Sequence, residues 1–150
     1  MKKPVRERRQ GVRARRIQYA ALPYRQNGKL GLEVMLVTTR DTGRWIIPKG
    51  WPKHGKLPPD TAAEEAFEEA GVAGKIGNRP IGTYSYDKIM RKGDSARCSV
   101  WVFALRVTRQ HKRWPEKRER KVRWYKANDA AKYVREPYLR RIIRNFARRY

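Results

Sequence analysis

Residues 58–71 constrain the fold more than any other stretch, because they read as one short helix with two incompatible faces. Pro58 and Pro59 stand where a first turn begins, and Asp60 or Thr61 is expected to cap its free N–H groups. Gly71 stands where a left-handed residue closes a helix. At about 100° per residue, Ala62, Ala63, Ala66, Phe67 and Ala70 fall on one arc, with Glu64, Glu65, Glu68 and Glu69 opposite. A face built mostly of alanine lets the helix lie close against a sheet, with Phe67 expected as its one large anchor.

The opposite face is crowded with like charge. Five of the fourteen acidic side chains lie between Asp60 and Glu69 with no Lys or Arg among them, although the chain carries 38 Lys and Arg and a formal net charge of +24. Glu64–Glu68 and Glu65–Glu69 are i,i+4 pairs, each repelling by roughly 0.2–0.5 kcal/mol. An acidic solvated face is the plain explanation, but such faces ordinarily mix signs. A bound divalent cation is the other, since Glu65, Glu68 and Glu69 present hard oxygen ligands suited to Mg²⁺ or Mn²⁺.

Residues 50–72 read GWPKHGKLPPDTAAEEAFEEAGV, preceded by RWIIPKGW over residues 44–51. The segment resembles the 23-residue signature of the Nudix hydrolases: Gly50, Glu65, Ala66, Glu68, Glu69, Gly71 and Val72 fall in register with it. The flanking residues look like the branch acting on diphosphoinositol polyphosphates and dinucleoside polyphosphates. The likeness extends from about Ile17 through the closing strands near residues 100–126. It implies an α+β fold, a mixed β-sheet packed between helices as an α/β/α sandwich. It also implies metal-dependent hydrolysis of a pyrophosphate bond by water attack at phosphorus. Glu65, Glu68 and Glu69 are the implied catalytic carboxylates, and with the Gly50 carbonyl the implied metal ligands, for Mg²⁺ or alternatively Mn²⁺. One glutamate of the trio would take the proton from water.

Two positions depart from the signature. Lys56 stands where the family has Glu, and Glu64 where it has Arg. Together they exchange the signs of one pair, so a charge-reversed structural bridge from Lys56 to Glu64 is expected. Acids outside the signature are candidate extra ligands: Glu116, Glu119 and Asp87. Candidate substrate-binding cations are Arg40 and Arg44, similar to arginines that recur in the inositol-pyrophosphate branch, with Lys49, Lys53 and Arg97.

The rest of the chain sets limits. About 150 residues suit one domain, here residues 17–150, and 39% hydrophobic residues supply a core. Residues 1–16 hold eight Lys or Arg and one acid, and read as a flexible basic arm. Strands are expected at 17–22, 32–39, 45–47, 81–87, 98–107 and 122–125, a short helix at 127–134 begun by Asn128, and a last helix opened by Pro137. No run approaches a membrane span. A single cysteine, Cys98, fits a reducing compartment, and a cytoplasmic location is expected. His54 and His111 stand alone, against a zinc site. A polyanionic small-molecule substrate suits the positive charge. The arm and the arginines of the last helix motivate rival readings, an RNA 5′-end pyrophosphohydrolase or a nucleic-acid-binding protein on a similar scaffold.

Overall fold

The computed structural model describes residues 16–90 and 93–149. Eight strands form one sheet: β1 (Arg16–Asn27), β2 (Gly31–Thr38), β3 (Trp45–Ile46), β4 (Lys49–Gly50), β5 (Val72–Ile76), β6 (Gly82–Ile89), β7 (Ser95–Gln110) and β8 (Val122–Lys126). Among the described residues, three helices accompany it: α1 (Pro58–Ala70), α2 (Ala127–Tyr133) and α3 (Pro137–Arg148). The strand order is β3-β2-β1-β7-β5, with β4 on β1, β6 on β7 and β8 on β2. The β1–β7 pairing is parallel, from Arg16 opposite Cys98 to Tyr24 opposite Arg106, and the other pairings are antiparallel. The sheet is therefore mixed, as expected.

Alternation along the central strands builds two cores, because successive side chains point to opposite faces. Ala20, Leu22, Val34, Leu36, Val100 and Val102 face α2 and α3 and are covered by Ala130 and Ala131 of α2 and by Leu139, Ile142, Ile143 and Phe146 of α3. Ala21, Met35, Val37, Phe103 and Leu105 face α1. Helix α1 contributes only Ala62, Ala66 and Ala70 to that second core. The expected Phe67 anchor is corrected: Phe67 is half-buried beside the interface, edge-on to His111 at 5.0 Å. With alanines on its inner stripe the helix packs close over Met35, Phe103 and Leu105, and its own large ring stays to the side.

The helix starts also correct the sequence reading. Leu57 is the N-cap of α1 and makes no side-chain cap, and Pro58 and Pro59 occupy the first positions. Two prolines remove two of the N–H donors that a capping side chain would serve, and the Thr61 amide donates to the Leu57 carbonyl at 3.0 Å. Helix α2 begins at Ala127 after Lys126 rather than at Asn128. Strands β4 and β5 were not anticipated: β4 is two residues long, and β5 bears Gly74 at a bulge opposite β7. Of the proposed arm, residues 1–15 lie outside the described residues, while Arg16 already belongs to β1.

Gly71 closes α1 with φ 73° and its amide on the Phe67 carbonyl at 2.9 Å. A Cβ there would run into the Trp114 ring. Gly71→Ala is expected to cost about 2 kcal/mol, from left-handed strain and the displaced indole; urea unfolding that matches the wild type would contradict this packing.

Candidate active site

The carboxylates of α1 do not all meet the same surroundings. Glu65 and Glu69 lie one turn apart on the stripe that turns toward the sheet, with relative exposures of 8% and 4%. Glu64 and Glu68 remain half-exposed on the neighbouring stripe. Strand β4 brings Gly50 against Glu65, through pairing of Gly50 with Tyr19 and of Lys49 with Ala20 on β1. The place a Cβ would take on Gly50 is filled by the Glu65 carboxylate. Glycine at this position is therefore a packing requirement of the glutamate.

Across the helix, the segment between β7 and β8 folds back onto its carboxyl-terminal half. The Glu116 amide donates to the Glu68 carbonyl at 3.0 Å. Arg120, its side chain 9% exposed, reaches Glu116 Oε1 at 2.7 Å, Glu69 Oε2 at 3.7 Å and the Thr38 carbonyl at 3.0 Å. One guanidinium thus ties β2, the loop and the helix together.

These groups open on a cleft of about 700 Å³ whose lining includes Glu65 and Glu69 together with Arg40, Arg44, Lys49 and Lys53. The cations are already engaged. Arg44 pairs with the buried Glu136 at 2.9 Å, and the more exposed Arg40 with Glu119 at 3.0 Å. The Lys49 ammonium sits 5.1 Å from the Tyr86 ring centroid, and the Tyr86 hydroxyl donates to Gln18 Oε1 at 2.6 Å. Lys53 turns to the helix, meeting Glu64 and Glu65 at 3.0 Å and Glu68 at 3.5 Å. Its Nζ is held above the ordinary lysine value: burial lowers it, but the bonds to Glu64 and Glu65 outweigh that. Lys56 Nζ lies 3.6 Å from Glu64 Oε1, so the exchanged pair does meet, although Lys53 is the nearer partner.

Burial pushes the Glu69 carboxyl up to about 8 from its ordinary 4.5; Arg120 opposes the rise, and the adjacent Glu65 adds to it. Desolvation likewise lowers the Lys49 ammonium to about 8, against the pull of Glu69. A carboxylate and an ammonium in one cleft are thus both drawn toward the neutral range, as in sites where charge awaits a ligand.

Among the described residues, no three His, Cys, Asp or Glu side chains converge as a closed cation cage. Mg²⁺ does not require such a cage, being commonly held by one or two carboxylates plus water and substrate phosphate. The buried Glu69 Oε1 has no hydrogen-bond partner, and a hard cation would supply one. Glu65, Glu69 and the Gly50 carbonyl therefore fit such an ion. Glu68 does not line the cleft, whereas Glu116 and Asp87 do and Glu119 stays at its rim with Arg40. Arg97 stands apart, paired with Asp87 at 3.2 Å on the exposed surface.

The sequence model of the NUDIX domain matches residues 14–146. The chain belongs to the Nudix family. It is 31% identical over 120 residues to Nudix hydrolase 12, mitochondrial, of Arabidopsis thaliana, across 78% of this chain and 59% of that protein. It is 34% identical over 105 residues to diphosphoinositol polyphosphate phosphohydrolase 3-alpha of Mus musculus, across 68% of this chain and 60% of that one. The chain thus spans 59–60% of the length of these relatives. Among solved structures, the C. elegans Ap4A hydrolase superposes with a TM-score of 0.62 at 19% identity, over 88% of this chain and 96% of that one. The E. coli dihydroneopterin triphosphate pyrophosphohydrolase gives 0.67 at 18%, over 89% and 96%. At these identities the likeness establishes the Nudix fold. No described helix is long and apolar enough to cross a membrane.

Sequence reasoning missed Arg120, Glu136, Tyr86 and Gln18. Arg120 lies four residues after Glu116, but in a turn rather than on a helix, so it and the others depend on tertiary placement.

A carboxyl raised from 4.5 to about 8 favours the fold fully below the lower value and loses that contribution as pH rises through the upper one. In chelator, Glu69→Gln is therefore expected to gain stability relative to wild type from pH 5 to 8 and to hold a constant advantage above that. Parallel stability curves in urea titrations would contradict the desolvation of Glu69.

Proposed function

We propose that this Nudix protein hydrolyses a pyrophosphate bond in a polyphosphorylated small molecule, of the diphosphoinositol polyphosphate or dinucleoside polyphosphate type, with Mg²⁺ or Mn²⁺. One observation carries the reading: two desolvated carboxylates, Glu65 and Glu69, share a cleft with Arg40, Arg44, Lys49 and Lys53. Isolated buried anions are costly, and phosphate-facing cations beside them make sense as two halves of one site. The names of two relatives support the substrate class, one a diphosphoinositol polyphosphate phosphohydrolase and one an Ap4A hydrolase.

A divalent cation held by Glu65, Glu69 and the Gly50 carbonyl would neutralise phosphate charge and acidify a bound water. The chain's own residues do the rest. Glu69 would accept the proton of the attacking water through the oxygen that the ion leaves free. Arg120, against Glu69 Oε2, fixes the carboxyl's position. Lys49 and Arg44 line the same cleft and would face the phosphate chain, with Arg44 held in place by Glu136. Arg40, on the open rim, can exchange Glu119 for substrate.

RNA 5′-end hydrolysis is the second outcome that a substrate panel decides, since the basic arm behind it lies outside the described residues. With Mg²⁺, a diphosphoinositol or dinucleoside polyphosphate is expected to turn over with the highest kcat/KM, and Glu69→Gln to lower kcat by about 10²–10⁴. A higher kcat/KM on 5′-triphosphorylated RNA would replace the small-molecule reading. The exchanged pair has its own test. Lys56→Glu and Glu64→Arg should each lower stability and together recover part of it, with a coupling of about 0.5 kcal/mol. Additive losses would show that Lys53 alone holds Glu64.

A further inference from the structure

Lys53 is the one cation of the cleft that meets several glutamates of α1 at once. Its Nζ lies 3.0 Å from Glu64 Oε1, 3.0 Å from Glu65 Oε2 and 3.5 Å from Glu68 Oε2. Lys56 reaches only Glu64 of these, at 3.6 Å, and Arg120 reaches Glu69. Of the carboxylates Lys53 touches, Glu65 is the buried one, and it also lines the cleft. A hard cation ligated to that oxygen at about 2.1 Å would come within about 5 Å of the ammonium, across a desolvated carboxylate. The two cations therefore oppose each other at Glu65.

We propose that Lys53 is a built-in competitor for the divalent ion: it gathers Glu64, Glu65 and Glu68 in the ion-free protein, yields Glu65 when the ion arrives, and is thereby released toward the phosphate chain. The inference rests on the reading of Glu65 as a metal ligand. It gives the chain's departure from the family signature a use. Glu64 in place of Arg adds a carboxylate to the helix face, and Lys53 is the group positioned to neutralise it together with its neighbours. It also couples two binding events, because one side chain serves first the helix glutamates and then the substrate. By reciprocity, a phosphate that captures Lys53 tightens the ion. Lys53 is in this sense a positioning residue whose partner changes with loading.

The test is a calorimetric titration of the full chain with Mn²⁺, without substrate. Lys53→Met is expected to bind Mn²⁺ about 5- to 20-fold tighter than wild type, and Lys53→Arg within about twofold of it. Lys53→Gln, a second neutral variant with a polar head, should follow Lys53→Met. Lys56→Met removes the same charge from beside Glu64 without touching Glu65, and should shift affinity by less than about threefold. Ion-free Lys53→Met should melt several degrees below wild type, a gap that saturating Mn²⁺ closes. Equal affinity in wild type and both neutral variants would overturn the proposal while leaving the metal site intact. An equal gain in Lys56→Met would also overturn it, by reducing the effect to general electrostatics. Mn²⁺ binding to none of the proteins would overturn both the proposal and the reading beneath it.

Discussion

The distance at which α1 lies on the sheet decides the chemistry of everything around it. Ala62, Ala66 and Ala70 are its only contributions to the core beneath, so the helix sits low and its flanking stripe is drawn out of water. Glu65 and Glu69 lie on that stripe. Glu65 fills the space left by the missing side chain of Gly50, and Glu69 is buried with one oxygen unpartnered. A larger residue at any of the three alanines would lift the helix and rehydrate both carboxylates. The raised proton affinity of Glu69 is thus a consequence of packing: burial raises it and Arg120 limits the rise.

The excess of positive charge has a local order inside this cleft. Four of the cations lining it already have partners: Arg44 has Glu136, Arg40 has Glu119, Lys53 has the helix glutamates, and Lys49 lies by the Tyr86 ring. They differ in burial, from the exposed Arg40 to the enclosed Lys49. A polyanion entering the cleft would therefore recruit them unequally, with the rim arginine and the loop lysine free to rearrange and the inner pair fixed. Fixed inner charges and adaptable outer ones suit a phosphate chain that must be aligned at one end only.

Much of this was legible in the sequence because it rests on local rules. The extent of α1, its closing Gly71, the strands around residues 17–22 and 32–39, and the last helix follow from periodicity and turn chemistry, but the split of the α1 faces does not: Glu65 and Glu69 join the buried stripe while Ala63 and Phe67 stay half-buried. The signature segment singled out Gly50, Glu65 and Glu69, which the fold brings together at the cleft. What the sequence left unread depends on tertiary proximity. Phe67 occupies the arc of the alanines, yet only their small size lets the helix settle, which pushes the large ring aside to His111. Strand β5 has a glycine at its bulge and little apolar periodicity, so it exists mainly because β7 offers it an edge. Arg120 is one basic residue in a run of them, and its bond to Thr38, residue 82 positions earlier, has no local trace. Arg97 and Glu68 looked equivalent to their neighbours by spacing, and the path of the chain placed both outside the cleft lining.

The central claim is that the buried pair Glu65 and Glu69 forms a cation site completed by phosphate. The most direct measurement is anomalous diffraction from crystals grown with Mn²⁺ and a non-hydrolysable imidodiphosphate. The account predicts a manganese peak at about 2.1 Å from carboxylate oxygens of both Glu65 and Glu69, with the diphosphate on the same ion. Manganese confined to the outer Glu64 and Glu68, or no ordered manganese with the diphosphate bound in the cleft, would contradict it.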